Sequence, residues 1–268
     1  MTSLLRADGV TIDFGGLRAV DHVDLQVDTG EIVALIGPNG AGKTTFFNML
    51  TGIYAPTAGQ ILYRDAPVTG LKPHRIAELG ITRTFQNVRL FGSMTALENV
   101  MIGRCVRTTA GVGAATLRTR RHREEEVSSE LAAQEWLEFC GLAGRTNDLA
   151  GSLPYGEQRR LEIARALATD PTLICLDEPA AGMNPHESAT LSDLVRVIRD
   201  SGTTVLLIEH DMNVVMNTAE RIYVLDFGRL IAAGTPQEIQ DNPAVIEAYL
   251  GRPRLDQADA DEGEENPC

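Results

Sequence analysis

The chain has 268 residues, of which 43% are apolar, and a formal net charge of −13. This length allows one large domain, or a domain with an added lobe, around a substantial core. The acidic balance argues against nucleic acid as a partner, because neutralising phosphates requires clustered Lys and Arg.

Two further patterns concern the cellular compartment. No run approaches about 20 uninterrupted apolar residues, and the N-terminus lacks the apolar core of a signal peptide, so we expect no membrane span and a cytoplasmic chain. The cysteines have no paired spacing, which favours free thiols over a disulfide framework or a zinc knuckle. They are Cys105, Cys140, Cys175 and Cys268.

The N-terminal part of the chain predicts short strands separated by turns. Apolar-rich segments at 17–27, 31–36 and 60–63 alternate with turn residues that include glycine and proline. We expect these strands to form an antiparallel edge joined to the strand at 32–36.

A complete phosphate loop (Walker A) follows that strand. Residues 37–45 are Gly37, Pro38, Asn39, Gly40, Ala41, Gly42, Lys43, Thr44 and Thr45. The glycines let backbone N–H groups turn inwards, and the helix that follows directs the positive end of its dipole towards an anion. In such a loop the lysine bridges the β- and γ-phosphates, and the next threonine binds Mg²⁺. The segment therefore predicts binding of a nucleoside triphosphate.

A mostly helical lobe is predicted from about residue 87 to residue 168, inserted into an α/β core. Within residues 124–139, four apolar residues have spacings that can share one helix face; they are Val127, Leu131, Trp136 and Leu137. Residues 104–123 are less regular, and we expect part of them to be a loop. Their arginines are followed at once by three glutamates, which favours a solvated helix over a lipid- or nucleic-acid-binding patch. These arginines are Arg118, Arg120, Arg121 and Arg123.

The C-terminal part contains unbroken apolar runs at 173–176 and 205–208. They predict strands buried on both faces of a parallel sheet, with helices near 187–200 and 212–219. The predicted fold is therefore α/β: a P-loop NTPase core with a mixed sheet, an antiparallel β edge and an inserted α-helical lobe.

Two carboxylates, Asp177 and Glu178, end the first of these runs. A carboxylate at a strand tip beside a phosphate loop can hold Mg²⁺ through water, and we assign this role to Asp177. Glu178 would orient or deprotonate the water that attacks the γ-phosphate. Without the phosphate loop upstream, the pair would indicate no more than the end of a strand.

Residues 152–167, just upstream of these carboxylates, have the sequence Ser-Leu-Pro-Tyr-Gly-Glu-Gln-Arg-Arg-Leu-Glu-Ile-Ala-Arg-Ala-Leu. This segment resembles the signature of the ATP-binding-cassette (ABC) ATPases, in which two ATP molecules are sandwiched between two cassettes. The resemblance implies that Tyr155, Gly156 and Glu157 cap the ATP bound by the opposite subunit. A glycine that opens a helix agrees with this, since the free N–H groups can face an anion.

The same resemblance implies roles for three more residues. Phe14 matches the aromatic that stacks on adenine, with a half-buried strand aromatic as the alternative. Gln86 matches the glutamine that touches Mg²⁺ and links the core to the helical lobe. His210 matches the switch histidine that contacts the γ-phosphate, although a lone histidine after a strand is usually structural.

Three segments, 83–91, 178–185 and 234–251, narrow the resemblance to the ATPase subunits of branched-chain amino-acid importers. Such importers pair two related ATPases with two membrane permeases and an extracytoplasmic solute-binding protein. The resemblance implies an ATPase held at the cytoplasmic face of the cell membrane, in a dimer with a second ABC ATPase subunit. Residues 1–251 would form the ABC ATPase domain, and the acidic residues 252–268 a disordered tail.

Other functions remain open at this point. The ATPases of urea or amide importers are closely similar to this subgroup. A soluble ABC ATPase acting on nucleic acid or ribosomes usually has two fused cassettes or a long coiled coil, and this sequence has neither. A regulatory module that binds ATP without hydrolysing it would be expected to lack Glu178 or His210.

Two residues depart from the family pattern. Pro154 stands where the signature usually has a serine, which removes a hydroxyl contact to the γ-phosphate, although proline suits the start of a helix. We therefore expect a working but weaker cap. Asn184 replaces an aspartate at the expected subunit contact, and the lost charge argues against symmetric signalling in a homodimer.

Overall fold

The computed structural model describes residues 3–107 and 120–250. Its strands are β1 (Ser3–Phe14), β2 (Leu17–Asp28), β3 (Ile32–Ile36), β4 (Ala58–Tyr63), β5 (Ala66–Pro67), β6 (Ile81–Arg83), β7 (Leu173–Asp177), β8 (Thr204–Ile208), β9 (Arg221–Asp226) and β10 (Arg229–Gly234). Its α-helices are α1 (Lys43–Leu50), α2 (Pro73–Glu78), α3 (Ala96–Arg104), α4 (Arg120–Phe139), α5 (Tyr155–Leu167), α6 (Pro185–Asp200), α7 (Met212–Thr218), α8 (Pro236–Gln240) and α9 (Pro243–Leu250).

A six-stranded, mostly parallel sheet forms the centre of the fold. Its order is β10-β9-β3-β8-β7-β6, and β10 alone in this order runs antiparallel, beside β9. Every residue of β3, β7 and β8 is buried. The predicted parallel sheet with strands buried on both faces is therefore confirmed, as are the helices that follow β7 and β8.

The two faces of this sheet are covered by different elements. Val33 and Leu35 of β3 pack in a core with Phe46 and Phe47 of α1, both fully buried. Ile32 packs on the other side with apolar residues of α5 and α6. Alternate side chains of a strand point to opposite faces, so the continuous apolar sequence of β3 serves two cores at once.

The antiparallel strands differ from the prediction. They form a separate four-stranded sheet, in the order β2-β1-β4-β5, instead of an edge joined to the strand at 32–36. The reason is that β3 is already paired on both sides, with β8 and β9. The long strand β1, which the sequence analysis did not identify, supplies the two edges on which β2 and β4 pair.

The predicted apolar face of the long middle helix is only partly correct. Leu137 is buried, but Val127 and Leu131 are 57% and 56% exposed. The buried face of α4 instead runs through Ser129, Ala133 and Leu137. Residues four apart share a helix face, and small side chains on that face let α4 pack closely against its neighbours. The division into a core and an inserted lobe stays a prediction.

The helices, the cysteines and the ends of the described ranges bear on three further predictions. In residues 3–107 and 120–250, every helix is too short or too polar to cross a membrane. Cys140 and Cys175 are buried free thiols, as predicted, and Cys105 is exposed. Cys268, Arg118 and the acidic tail at 252–268 lie outside the described residues, as does the part of 104–123 from 108 to 119.

Asn184 caps helix α6. Its side-chain oxygen accepts hydrogen bonds from the backbone N–H groups of His186 and Glu187, both at 3.0 Å, and the Glu187 carboxylate in turn accepts one from the backbone N–H of Asn184. This capping box satisfies N–H groups that the helix itself cannot satisfy. Asparagine and aspartate cap about equally well, so the departure from the family pattern is compatible with the same local structure.

We predict that Asn184→Ala lowers the free energy of unfolding by about 1 kcal/mol, whereas Asn184→Asp changes it little, because aspartate restores the cap. Urea denaturation followed by circular dichroism measures both variants. A stability for Asn184→Ala equal to that of the native chain would contradict the capping role.

Candidate functional site

The phosphate loop runs from the end of β3 to the start of α1, and its backbone passes very close to neighbouring strands. Gly37 has φ +149°, and a Cβ there would lie 2.1 Å from the backbone oxygen of Leu225. Gly42 has φ +97°, and a Cβ there would lie 2.6 Å from the backbone oxygen of Ala19. Any side chain would collide at these two positions, so the loop requires glycine at both.

The side chain of Lys43 folds back onto the start of the phosphate loop. Its Nζ donates to the backbone oxygens of Gly37 at 2.6 Å and Pro38 at 2.9 Å, and the residue is only 6% exposed. Burial lowers the pKa of the Lys43 amine, an effect that the nearby carboxylates Glu178 and Asp177 oppose. A desolvated ammonium group held by backbone carbonyls is well placed to transfer its hydrogen bonds to phosphate oxygens.

A cleft of about 520 Å³ opens over this loop. It brings together most of the predicted phosphate-binding residues with two residues from distant parts of the chain, Gln86 and Glu178. The lining consists of Leu17, Arg18, Ala19, Asn39, Gly40, Ala41, Gly42, Lys43, Thr44, Thr45, Gln86, Glu178, Phe227 and Gly228. The cleft therefore combines a phosphate cradle, a carboxylate and an amide.

Glu178, which lines the cleft, is the centre of a small polar cluster. Nε2 of Gln86 donates to Oε2 of Glu178 at 2.9 Å, and Nδ1 of His210 lies 3.6 Å from the same oxygen. The backbone of Glu178 has φ +47°, a left-handed conformation that is unusual for a residue other than glycine. Such strained residues concentrate at functional sites, where the surrounding structure holds them in place. The structure thus places two predicted site residues, Gln86 and His210, beside the carboxylate of a third, Glu178.

The two carboxylate oxygens of Asp177 differ in their contacts. Its Oδ2 accepts a hydrogen bond from Nη2 of Arg83 at 2.6 Å, while Oδ1 is buried without a hydrogen-bond partner among the described residues. Thr44 lines the cleft on α1. A buried carboxylate oxygen with no partner and a threonine hydroxyl fit the preference of Mg²⁺ for oxygen ligands.

The metal site would be completed by the substrate. No group of three or more His, Cys, Asp or Glu residues in the described ranges could hold a metal ion by itself. This agrees with nucleotide-dependent Mg²⁺ binding, in which one or two protein ligands act together with phosphates and water.

Phe14 and the signature residues do not line this cleft in the described part of the chain. The Phe14 ring packs edge-on against Tyr54, with the ring centroids 5.3 Å apart. Tyr155, Gly156 and Glu157 form the first turn of α5, and Glu157 pairs with Arg145 at 2.9 Å. Stacking of Phe14 on adenine stays a prediction, and so does the cap formed by the signature residues.

Pro154 occupies the N-cap position of α5, immediately before the first helical residue. Its carbonyl accepts hydrogen bonds from the backbone N–H groups of Glu157 and Gln158, both at 2.9 Å. The position needs no N–H donor, so the missing N–H of proline costs little there. The expected tolerance of proline at this helix start is confirmed, and the weaker cap stays a prediction.

Two arginines that organise the site were not predicted from the sequence. Arg83 contacts Asp177, and Arg159 of α5 donates to the backbone oxygens of Phe85, at 3.0 Å, and Gln86. Arg159 thereby ties the loop that carries Gln86 to the signature helix. For Arg83 the sequence did contain a signal, because it is the one charged residue in a short strand. A buried arginine requires a partner, so its position indicated a nearby carboxylate.

Comparisons of the sequence with known proteins identify relatives over nearly the whole chain. A family model described as ABC transporter matches residues 20–181, and one described as branched-chain amino acid ATP-binding cassette transporter matches residues 229–254. The high-affinity branched-chain amino acid transport ATP-binding protein LivG of Escherichia coli (strain K12) is 49% identical over 249 residues. The match covers 92% of this chain and 98% of LivG.

Solved structures of two ATP-binding cassettes resemble this fold. The ADP conformation of MJ1267, an ATP-binding cassette of an ABC transporter, has a TM-score of 0.83 at 32% identity and covers 94% of this chain and 100% of that one. The dimeric structure of MJ0796, a bacterial ABC transporter cassette, has a TM-score of 0.73 at 26% identity and covers 87% and 99%. The predicted P-loop NTPase fold is confirmed. The chain belongs to the ABC transporter family, as a subunit that binds and hydrolyses ATP.

Proposed function

We propose that this subunit hydrolyses Mg²⁺-bound ATP to ADP and phosphate and so powers an importer of branched-chain amino acids. The observation that carries the ATPase site is the meeting of Lys43, Gln86 and Glu178 in one cleft. The phosphate cradle, the amide and the carboxylate come from three separate segments, and ATP hydrolysis needs all three types of group.

Each residue has a specific task in this proposal. The loop N–H groups and Lys43 bind the phosphates and spread their charge. Glu178 orients the attacking water and accepts its proton, with Gln86 and His210 at the same carboxylate oxygen. Thr44 and Asp177 would hold Mg²⁺, which neutralises developing charge on the phosphates when it is bound.

The working unit is a dimer with a second ABC ATPase subunit. In residues 3–107 and 120–250, Tyr155, Gly156 and Glu157 lie outside the lining of the cleft, which supports their use against the nucleotide of a partner. The dimeric MJ0796 cassette is a precedent for such an assembly. The dimer would bind two membrane permeases through the region near Gln86 and would lie at the cytoplasmic face of the membrane.

The choice of cargo is supported by relatives. LivG is named for branched-chain amino acid transport, and the match to the branched-chain family model covers the C-terminal segment 229–254. An extracytoplasmic solute-binding protein would select the solute. Amide or urea transport is the alternative outcome, and transport of labelled leucine by the reconstituted importer, against labelled urea, distinguishes the two.

We predict that Glu178→Gln retains ATP binding but lowers turnover about 100-fold or more, because glutamine cannot accept the proton of the attacking water. Steady-state phosphate release and binding of a fluorescent ATP analogue measure the two properties. Glu130→Gln, an exposed glutamate on α4, is the matched control. Turnover of Glu178→Gln within several-fold of the native chain would eliminate this role.

We predict that Lys43→Ala abolishes tight nucleotide binding, because it removes the positive charge nearest the phosphates. Isothermal calorimetry with ATP measures the affinity. Lys72→Ala, at an exposed position that precedes α2, is the control and should bind as the native chain does. An unchanged affinity in Lys43→Ala would refute the phosphate-loop assignment.

A further inference from the structure

The side chain of Arg83 is buried, and its two terminal nitrogens contact different elements. Nη2 donates to Oδ2 of Asp177 at 2.6 Å, at the end of β7. Nη1 donates to Asn48 Oδ1 at 2.6 Å and Thr51 Oγ1 at 3.2 Å. Asn48 lies within α1, and Thr51 is its C-cap. A guanidinium group presents its donors in a rigid plane, so Arg83 fixes the carboxylate of β7 relative to helix α1.

The environment of this arginine leaves it little freedom. The side chains of Arg83 and Asp177 are 6% and 2% exposed. The guanidinium carbon lies 5.5 Å from the ring centroid of Phe47 and 5.4 Å from that of Phe85. These rings restrict movement of the arginine and attract its positive charge. The contact between Arg83 and Asp177 is therefore a fixed element of the fold.

As a result, the two carboxylate oxygens of Asp177 have different roles. Oδ2 is occupied by Arg83, which prevents the carboxylate from rotating, and Oδ1 remains without a partner in the described part of the chain. Helix α1, to which Arg83 is bonded, also carries Thr44. Arg83 thus connects the two residues that would hold Mg²⁺.

We propose that Arg83 is a positioning residue for the metal: it sets the orientation of Asp177 and its distance from Thr44, and so determines how strongly Mg²⁺ promotes nucleotide binding. This inference rests on the proposed function, because it assumes that Asp177 and Thr44 hold the metal. Groups that orient metal ligands typically change metal affinity or activity about 10- to 100-fold when removed.

A purely stabilising salt bridge is the competing explanation, and stability alone cannot separate the two. Removing one partner of a buried ion pair leaves an uncompensated charge and destabilises the fold in either case. The two explanations differ in the dependence on metal. A structural arginine would affect nucleotide binding equally with and without Mg²⁺, whereas a positioning arginine would affect mainly the binding that depends on Mg²⁺.

The test measures the affinity of the full chain for a non-hydrolysable ATP analogue, by calorimetry, once with Mg²⁺ and once with EDTA. The ratio of the two affinities is the Mg²⁺ enhancement. Arg83→Lys keeps the charge but loses the planar fork, and Asn48→Ala keeps Arg83 but removes one of its anchors on α1. Arg83→Met removes the contact altogether, and the two milder variants carry the test if that variant does not fold.

Arg221→Lys is the matched control. Like Arg83, Arg221 forms an ion pair: it contacts the carboxylates of Asp28, at 3.0 Å, and Glu31, at 2.5 Å, and it does not line the cleft as far as the described residues show. This variant should also lose some stability and yet keep the native Mg²⁺ enhancement.

We expect Arg83→Lys to reduce the Mg²⁺ enhancement about tenfold, with the affinity in EDTA unchanged, and Asn48→Ala to reduce it in the same direction. Two results would overturn the inference. The Mg²⁺ enhancement of Arg83→Lys could equal that of the native chain, or the variant could lose the same affinity with Mg²⁺ as with EDTA. If the native chain itself bound the analogue equally well in EDTA, the proposed Mg²⁺ site would be wrong. If the native chain showed a clear Mg²⁺ enhancement and the variants showed the same one, only the role of Arg83 would be refuted.

Discussion

Parallel pairing of β3, β8 and β7 aligns the ends of three strands, and the site depends on that alignment. Ile208 at the end of β8 is paired with Leu35 on one side and with Asp177 on the other. Gly37 therefore starts the phosphate loop two residues beyond this row. Glu178 lies one residue beyond it, and His210 two. Because the carboxyl ends of parallel strands meet at one edge of the sheet, groups from three distant segments converge there without long loops.

The residues at this edge are held in conformations that the chain would not adopt alone. Glu178 has a left-handed backbone, which costs about 1–3 kcal/mol for such residues, and Lys43 is buried with its charge facing backbone carbonyls. The fully buried strands behind them supply the stability that offsets these costs. Residues depart from their usual backbone conformation and exposure where the chemistry is expected, and follow them in the sheet that supports the site. Enzymes commonly show this distribution.

The sequence predicted what depends on local pattern and spacing. Lys43 follows a strand and three glycines, and Glu178 follows an unbroken apolar run, so both could be placed before any contact was known. Contacts between distant segments were not predictable in this way. The pairing of Phe14 with Tyr54, the link from Arg83 to Asp177 and the separate antiparallel sheet all depend on which segments meet. The prediction that Val127 lies on the buried face of α4 failed for the same reason. Helical periodicity does not show which side of the helix faces its neighbours.

The proposed role as the ATPase of a membrane importer is tested most directly by the identity of the proteins that bind this subunit in its native membrane. A tagged chain would be purified from detergent-solubilised membranes, and the co-purifying proteins identified by mass spectrometry. We expect two multi-spanning permeases together with a second ATP-binding cassette. Recovery of ribosomal or DNA-associated proteins in place of permeases, with a mock purification as the control, would contradict it.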